Sequence, residues 1–250
     1  MPSTFQPTIQ AFDALPPAPT LAPPERGSVD LWLASLTGDS AEFEPLLTDD
    51  EKRRANAFHF EVDRKKFIIG RGRLRILLGR YLRCDPATVS IEPGKNLKPR
   101  LANSGGKLDF NLSHSGDHVL YAVTSGESVG VDLESIHREG TLPDCAKTIC
   151  SEEELPRLRR LPSDRLPRAL LRLWTAKEAF LKALGTGLHL PPDQLEIPSS
   201  ITDGSPDSTT LLWLESPEVS GRYRIYPMPE CERRIGYSAA VALEQYDPKD

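Results

Sequence analysis

Two stretches of this chain repeat one order of signals. Apolar residues recur at helical spacing over 74–82, Pro86 follows, and residues 89–91 read as a short strand. The same order returns over 170–184, at Pro191 and Pro192, and over 195–197. A candidate hairpin follows each unit: residues 108–123 in the first, 222–226 with 235–243 in the second. Helix-then-strand order also recurs by chance, so the repeat is weak on its own. Taken at face value it predicts an α+β chain of two similar halves, residues 29–125 and 126–250.

The length, 250 residues, allows one large domain or two small ones, and enough chain to bury a core without staples. Ahead of the first unit, Pro2, Pro7, Pro16, Pro17, Pro19, Pro23 and Pro24 interrupt any helix and remove backbone donors. Residues 1–28 therefore read as an extended or disordered tail. Residues 29–34 alternate as a strand, Thr48-Asp-Asp-Glu51 is a capping-box pattern, and helical spacing runs over about 62–82. Residues 108–112, 119–123 and 128–136 read as strands. A helix follows Ser151, and a long helix over about 168–184 is ended by Gly185 and Gly187.

No apolar run approaches the ~18 residues of a membrane span, and the N-terminus lacks a basic start followed by an apolar run. Cys84, Cys145, Cys150 and Cys231 form no Cys-x-x-Cys pair and no zinc-type spacing, as expected of reduced thiols in a cytoplasmic protein. A formal charge of −5 argues against nucleic acid as a partner but leaves room for a local basic pocket that takes a small phosphorylated ligand.

Three segments carry chemistry. In Val129-Gly-Val-Asp-Leu-Glu134 strand alternation puts Asp132 and Glu134 on one face, with Val131 and Leu133 on the other. Two adjacent carboxylates need water, a cation or a basic partner, and suit Mg²⁺; an exposed strand face is the bland alternative. In Trp174-Thr-Ala-Lys-Glu-Ala-Phe-Leu-Lys182 the helix stripe is Leu166, Leu170, Leu173, Phe180, Leu181 and Leu184. Lys177 falls inside that stripe and Glu178 at its edge. A lysine there either snorkels to solvent or meets an anion. Glu178 and Lys182 by themselves are an ordinary i, i+4 pair. In Phe110-Asn-Leu-Ser-His-Ser-Gly116 a histidine among serines at a strand end suits phosphate contact, although a lone histidine is more often a satisfied polar residue.

The order of these three segments resembles that of the phosphopantetheinyl transferases, and in particular their larger, two-half bacterial class of the surfactin type. The resemblance runs from about residue 29 to 243. Arg71-Gly-Arg-Leu-Arg75, Leu77-Leu-Gly-Arg-Tyr-Leu82 and Lys98-Pro-Arg-Leu101 add to it. It implies a pseudo-dimer of two α+β halves with coenzyme A in the cleft between them. It implies Asp132, Glu134 and Glu178 as ligands of Mg²⁺ (Mn²⁺ as a substitute), with Glu178 also a base or the group that orients a water acting as one. Lys182 and His114, helped by Ser113, would contact phosphates. Lys98 would lie near the adenine or its ribose phosphate, and Lys177 would face the ligand. Arg71 belongs to the same ligand-binding set. The partners implied are coenzyme A and apo carrier proteins of fatty-acid, polyketide or nonribosomal peptide assembly, with the enzyme a monomer.

The chain departs from the family pattern in two places. Leu97 stands where a glycine usually precedes Lys-Pro, and Ile149-Cys-Ser-Glu-Glu-Glu154 lacks the aromatic residues common before Ser-x-x-Glu. Glu154 is a catalytic-site candidate by alignment and equally a helix cap. The Lys52-Arg-Arg54 run either grips a 3′-phosphate or is a solvated helix face.

Overall fold

The computed structural model describes residues 7–16, 20–94, 96, 98–102, 105–185, 190–203, 210–215 and 220–245. Leu97 and Gly187 lie outside the described residues, as do Pro2, Pro17 and Pro19. The first part of the chain forms β1 (Ile9–Ala11), β2 (Asp30–Ser35), α1 (Asp49–Asn56), α2 (Glu61–Leu82), β3 (Ile91–Pro93), β4 (Pro99–Leu101), β5 (Asp109–Ser115) and β6 (His118–Thr124). The second forms β7 (Val129–Ser135), α3 (Ala146–Ile149), α4 (Glu154–Leu158), α5 (Leu166–Leu184), α6 (Ser199–Thr202), β8 (Thr210–Glu215), β9 (Ser220–Pro227), α7 (Pro229–Ile235) and β10 (Tyr237–Glu244).

The fold is α+β. One sheet has the order β1-β2-β6-β5 and the other β7-β10-β9-β8. In each, the first strand of the half (β2 or β7) pairs antiparallel with its last (β6 or β10), which pairs antiparallel with the strand before it (β5 or β9). The repeated order seen in the sequence thus has a topological counterpart. Three differences stand out. Residues 195–197 form no strand, and the short strand of the first unit runs over Ile91–Pro93 and not 89–91. The second hairpin contains α7, so Ile235 ends a helix and does not begin a strand. The edge strand β8 was not anticipated.

Strand alternation divides the apolar side chains between three cores. Trp32, Tyr121 and Val123 point to α2, where they meet Leu74, Leu77 and Leu78. Ala240, Ala242 and Ile225 meet Leu170, Leu173 and Phe180 of α5. The opposite faces meet each other: Leu31, Leu120 and Ala122 of the first sheet pack with Val131, Leu133 and Val241 of the second. Two helix-backed sheets therefore share an apolar interior. α5 lies against β7 at Gly130, where a Cβ would sit 2.0 Å from the Ala179 carbonyl oxygen. Only a residue without a side chain admits that approach. Gly185, with φ 65°, closes α5 in the left-handed conformation as its position suggested.

The expected disordered tail is not what residues 7–16 and 20–28 form. β1 pairs in parallel with β2, Ile9 opposite Leu31, and Phe12 is buried in the first core. Pro7 and Pro16 flank this segment and do not interrupt it, and strand pairing on one side uses only some of its donors.

Candidate active site

β5 and β7 are edge strands of different sheets, and they are joined by side chains. Asp109 Oδ2 accepts from Val129 N at 3.2 Å, Asn111 Oδ1 from Val131 N at 3.0 Å, and Ser115 Oγ from Ser135 N at 3.0 Å. Alternate residues of β5 thus stand in for a neighbouring strand's carbonyls and hold the two sheets in register. The same alternation brings Ser113 and Ser115 against the carboxylates of β7.

Asp132 and Glu134 share the face of β7 that meets α5, as strand alternation predicted. Asp132 is buried. Its Oδ1 accepts from Ser113 Oγ at 2.8 Å and Lys182 Nζ at 2.6 Å, while its Oδ2 is buried with no hydrogen-bond partner. Lys182 therefore pairs with Asp132 across the strand–helix contact, not with Glu178 along its own helix. Glu134 accepts three hydrogen bonds, at Oε2 from Ser115 Oγ at 3.0 Å and at Oε1 from Arg138 Nη1 at 2.5 Å and Trp174 Nε1 at 3.3 Å, which leaves acceptor capacity on Oε2. Glu178 is half-buried on α5. Burial pushes its carboxyl above the ordinary value, and the Asp132 and Glu134 carboxylates add to that against the pull of Lys182.

His114 lies on the opposite face of β5 and reaches solvent. Desolvation by the surrounding protein, then Lys182 and Lys66, hold its imidazole below the ordinary histidine value against Glu134, so it is neutral at pH 7. Ser113, His114, Asp132, Glu134, Glu178 and Lys182 are thus gathered at one seam. Among the described residues no three His, Cys, Asp or Glu side chains already converge as a metal cage.

The other candidates have different surroundings. Lys177 does not face a ligand. It is fully buried, and its Nζ donates to Glu154 Oε2 at 2.5 Å and to the carbonyls of Leu195 at 2.7 Å, Ile149 at 2.8 Å and Pro192 at 2.9 Å. An ammonium has three protons, so nothing is left for a substrate. Glu154 completes this node. Oε1 accepts from Ile197 N at 2.6 Å, and Oε2 and the backbone N exchange bonds with Ser151 at 2.8 and 3.2 Å. The cap is therefore real, and the carboxylate is sealed from the seam. Lys98 stitches the seam, donating to Asp109 Oδ2 at 3.1 Å, Val129 O at 3.0 Å and Ser128 Oγ at 3.4 Å. Arg71 sits on α2 beside Glu51 at 3.4 Å with its guanidinium 5.8 Å from the Phe67 ring centre, and these described contacts are outside the carboxylate cluster. Lys52, Arg53 and Arg54 are exposed on α1.

Ser115, Trp174 and Arg138 were not singled out from the sequence. Ser115 had a signal, since it shares a strand face with Ser113. Arg138 had none, because it meets Glu134 only after the chain turns at the end of β7.

Residues 128–219 match the family model of the 4′-phosphopantetheinyl transferase superfamily, and residues 38–126 match that of the 4′-phosphopantetheinyl transferase N-terminal region. The chain belongs to the 4′-phosphopantetheinyl transferase superfamily. The 4′-phosphopantetheinyl transferase HetI of Nostoc sp. is 37% identical over 205 residues, covering 79% of this chain and 84% of that protein. The transferase Sfp of Bacillus subtilis is 24% identical over 219 residues, covering 84% and 92%. The human L-aminoadipate-semialdehyde dehydrogenase-phosphopantetheinyl transferase is 28% identical over 211 residues, covering 79% and 67%. The two family matches meet at residue 127, between β6 and β7, so the seam joins one matched region to the other.

Proposed function

We propose that this transferase moves the phosphopantetheine arm of coenzyme A onto a serine hydroxyl of an apo carrier protein, at the seam between its two halves. The observation that carries the proposal is Asp132. One of its oxygens is fixed by Ser113 and Lys182 while the other is buried without a donor, beside two further carboxylates. A buried unpaired carboxylate oxygen is costly unless a ligand completes it. Oxygen donors of this kind fit a hard divalent cation. Asp132, Glu134 and Glu178 would hold Mg²⁺, or Mn²⁺ in its place. When bound, such an ion neutralises charge on the pyrophosphate of coenzyme A.

The chain's own residues do the rest. The acceptor serine oxygen forms a bond to the phosphorus that carries pantetheine, and the bond from that phosphorus to the oxygen of 3′,5′-ADP breaks. Glu178, with its carboxyl held above the ordinary range, takes the serine proton directly or through one water. Lys182 is fixed by Asp132 and Ser113 and supplies positive charge where the leaving phosphate becomes more negative. His114 is neutral and exposed at the strand end, available as a hydrogen-bond donor to a phosphate oxygen. Lys98 would meet the nucleotide only by releasing one of its three seam acceptors. The proposal includes action as a monomer in the cytoplasm, checked by sedimentation and cell fractionation.

The test is incubation with coenzyme A, Mg²⁺ and a panel of apo carrier proteins, read by intact mass. Addition of phosphopantetheine to a carrier serine is expected, together with its loss in excess chelator and in Asp132→Ala. Release of phosphopantetheine to water with no carrier modified would overturn transfer in favour of hydrolysis. Full activity in chelator would remove the metal.

A further inference from the structure

The corner between α1 and α2 leaves large apolar side chains in water. Phe58, Phe60 and Val62 are 39%, 63% and 56% exposed. Single exposed apolar residues are ordinary, but three within five residues form a patch. The corner is braced. The Phe58 ring packs tilted against Phe67, 5.5 Å between centres, and the guanidiniums of Arg54 and Arg71 lie 5.3 and 5.8 Å from the Phe67 centre. Phe60 also occupies the N-cap of α2 with no side-chain cap. A Ser, Thr, Asp or Asn there would stabilise the helix by roughly 1 kcal/mol. Phenylalanine supplies no cap at this position, and its ring meets His59 edge-on at 4.8 Å between centres.

The patch lies at the mouth of the seam. Lys66 is six residues along α2 from Phe60, about 9 Å at 1.5 Å per residue. Its Nζ donates to Gly116 O at 3.0 Å and pairs with Asp117 at 2.8 Å. That turn directly follows His114 and Ser115, and Ser115 holds Glu134. The surroundings are basic. Residues 48–75 contain nine Lys and Arg against five Asp and Glu, in a chain whose formal charge is −5. Arg53 pairs with Asp50, and Arg64 with Glu61 and Glu44. Asp49 and Asp63 lie in the first turns of their helices, where a carboxylate is favoured by the helix dipole. Lys52, Arg54 and Lys65 are exposed and have no ion pair among the described residues.

We propose that Phe58, Phe60 and Val62 are the docking surface for the acceptor protein, which presents an apolar patch edged by carboxylates. The apolar side chains anchor the partner. Lys52, Arg54 and Lys65 select its charge and speed its approach. This inference rests on the transferase reading and names where the acceptor lands.

The experiment compares the parent with Phe60→Ser/Val62→Ser and with Lys65→Glu, using an apo acyl carrier protein. Both positions of the double variant are exposed and the first gains a helix-capping hydroxyl, so its melting temperature should equal or exceed the parent's. A rise of at least tenfold in KM for the carrier is expected, with kcat and KM for coenzyme A within twofold of the parent. Lys65→Glu should weaken the carrier at low salt, with the difference closing at high salt. An unchanged carrier KM in the double variant overturns the proposal, as does an equal rise in KM for coenzyme A, which would assign the patch to the nucleotide. If the parent modifies no carrier at all, the transferase reading fails instead. Calorimetric titration of the same apo carrier onto parent and double variant then decides the surface: equal affinity, or none in the parent, overturns it.

Discussion

Lys177 and Glu178 are neighbours on one helix with opposite consequences. Lys177 is closed inside the protein by a carboxylate and three carbonyls. Lys177→Met would leave Glu154 buried without its counter-ion. Breaking a buried pair from one side costs about 3–5 kcal/mol. That loss is expected in urea unfolding of Lys177→Met, with coenzyme A affinity of the folded fraction unchanged. Glu178 is half-buried and makes no ion pair with Lys182, so Glu178→Gln should cost little stability. Its rate should fall by the ~10²–10⁴ that a positioned proton acceptor supplies. Metal titration separates two causes: weakened metal dependence marks a ligand, and unchanged metal affinity with a slow rate marks a base. A Glu178→Gln enzyme as fast as the parent at saturating metal would exclude both. Helical spacing alone located both residues, one in the apolar stripe and one at its edge. The partners of Lys177 were not legible, because carbonyls of Ile149, Pro192 and Leu195 belong to segments remote in sequence and a carbonyl carries no residue signature.

At the scale of elements, α5 is fastened along its length, and each fastening has a different origin. Near its C-terminal end Gly130 lets the helix backbone approach β7, which sets Glu178 and Lys182 against Asp132. Near its start α7 holds it: Glu232 accepts from Arg172 Nε and Nη2, each at 2.7 Å, and from Arg168 Nη1 at 3.0 Å. The acidic strand face was legible from alternation. α7 was missed although its signal was present, a Pro at the first helical positions and Gly236 at the end. The network at Glu232 makes a pH prediction. Burial raises this carboxyl, but the two arginines outweigh it and hold its pKa below the ordinary glutamate value. A depressed folded pKa contributes stability that is complete above the unfolded value of about 4.3 and lost as pH falls through the folded pKa. Melting temperature should therefore fall as pH drops below about 4.3. Glu232→Gln should melt lower than the parent at pH 7 and lose less over the acid range. Parallel melting curves for the two proteins from pH 7 to pH 3 would show that the network contributes nothing.

At the scale of the whole molecule, the long helices and the antiparallel pairs of the sequence repeat recur in the topology because periodicity and turn residues are local, whereas the strand read at 195–197 does not form. Burial of the N-terminal segment was not legible because its partners are distant. Proline counting misled for a physical reason: proline lacks a donor but keeps its acceptor. The carbonyl of Pro16 accepts from Arg80 Nη1 at 2.7 Å, and that of Pro24 from Ser125 Oγ at 2.5 Å. Leu21 N donates to Arg80 O at 3.0 Å, and Arg26 pairs with Glu127 at 3.5 Å. Between these ties Phe12 is buried, with the Arg73 guanidinium 5.2 Å from its ring centre. The segment crosses the first half and ends on residues 125–127, the link that leads into β7 and so to Asp132. Deleting residues 1–24 would remove Asp13 and Phe12 from Arg73 and the Pro16 carbonyl from Arg80, uncover one edge of β2 and free Ser125. Phe12→Ala alone should cost about 3 kcal/mol, the lower end for a buried Phe→Ala change, since this ring lies near the surface. The deletion should lower the melting temperature by more than Phe12→Ala does, and it should slow carrier modification at temperatures where the truncated protein is still folded, because the loosened link positions β7. Calorimetry of the three proteins, with rates taken well below each transition, checks both parts. A truncated protein that melts with the parent would show that the segment does not hold the fold, and one that melts lower but works at the parent's rate would confine its role to stability.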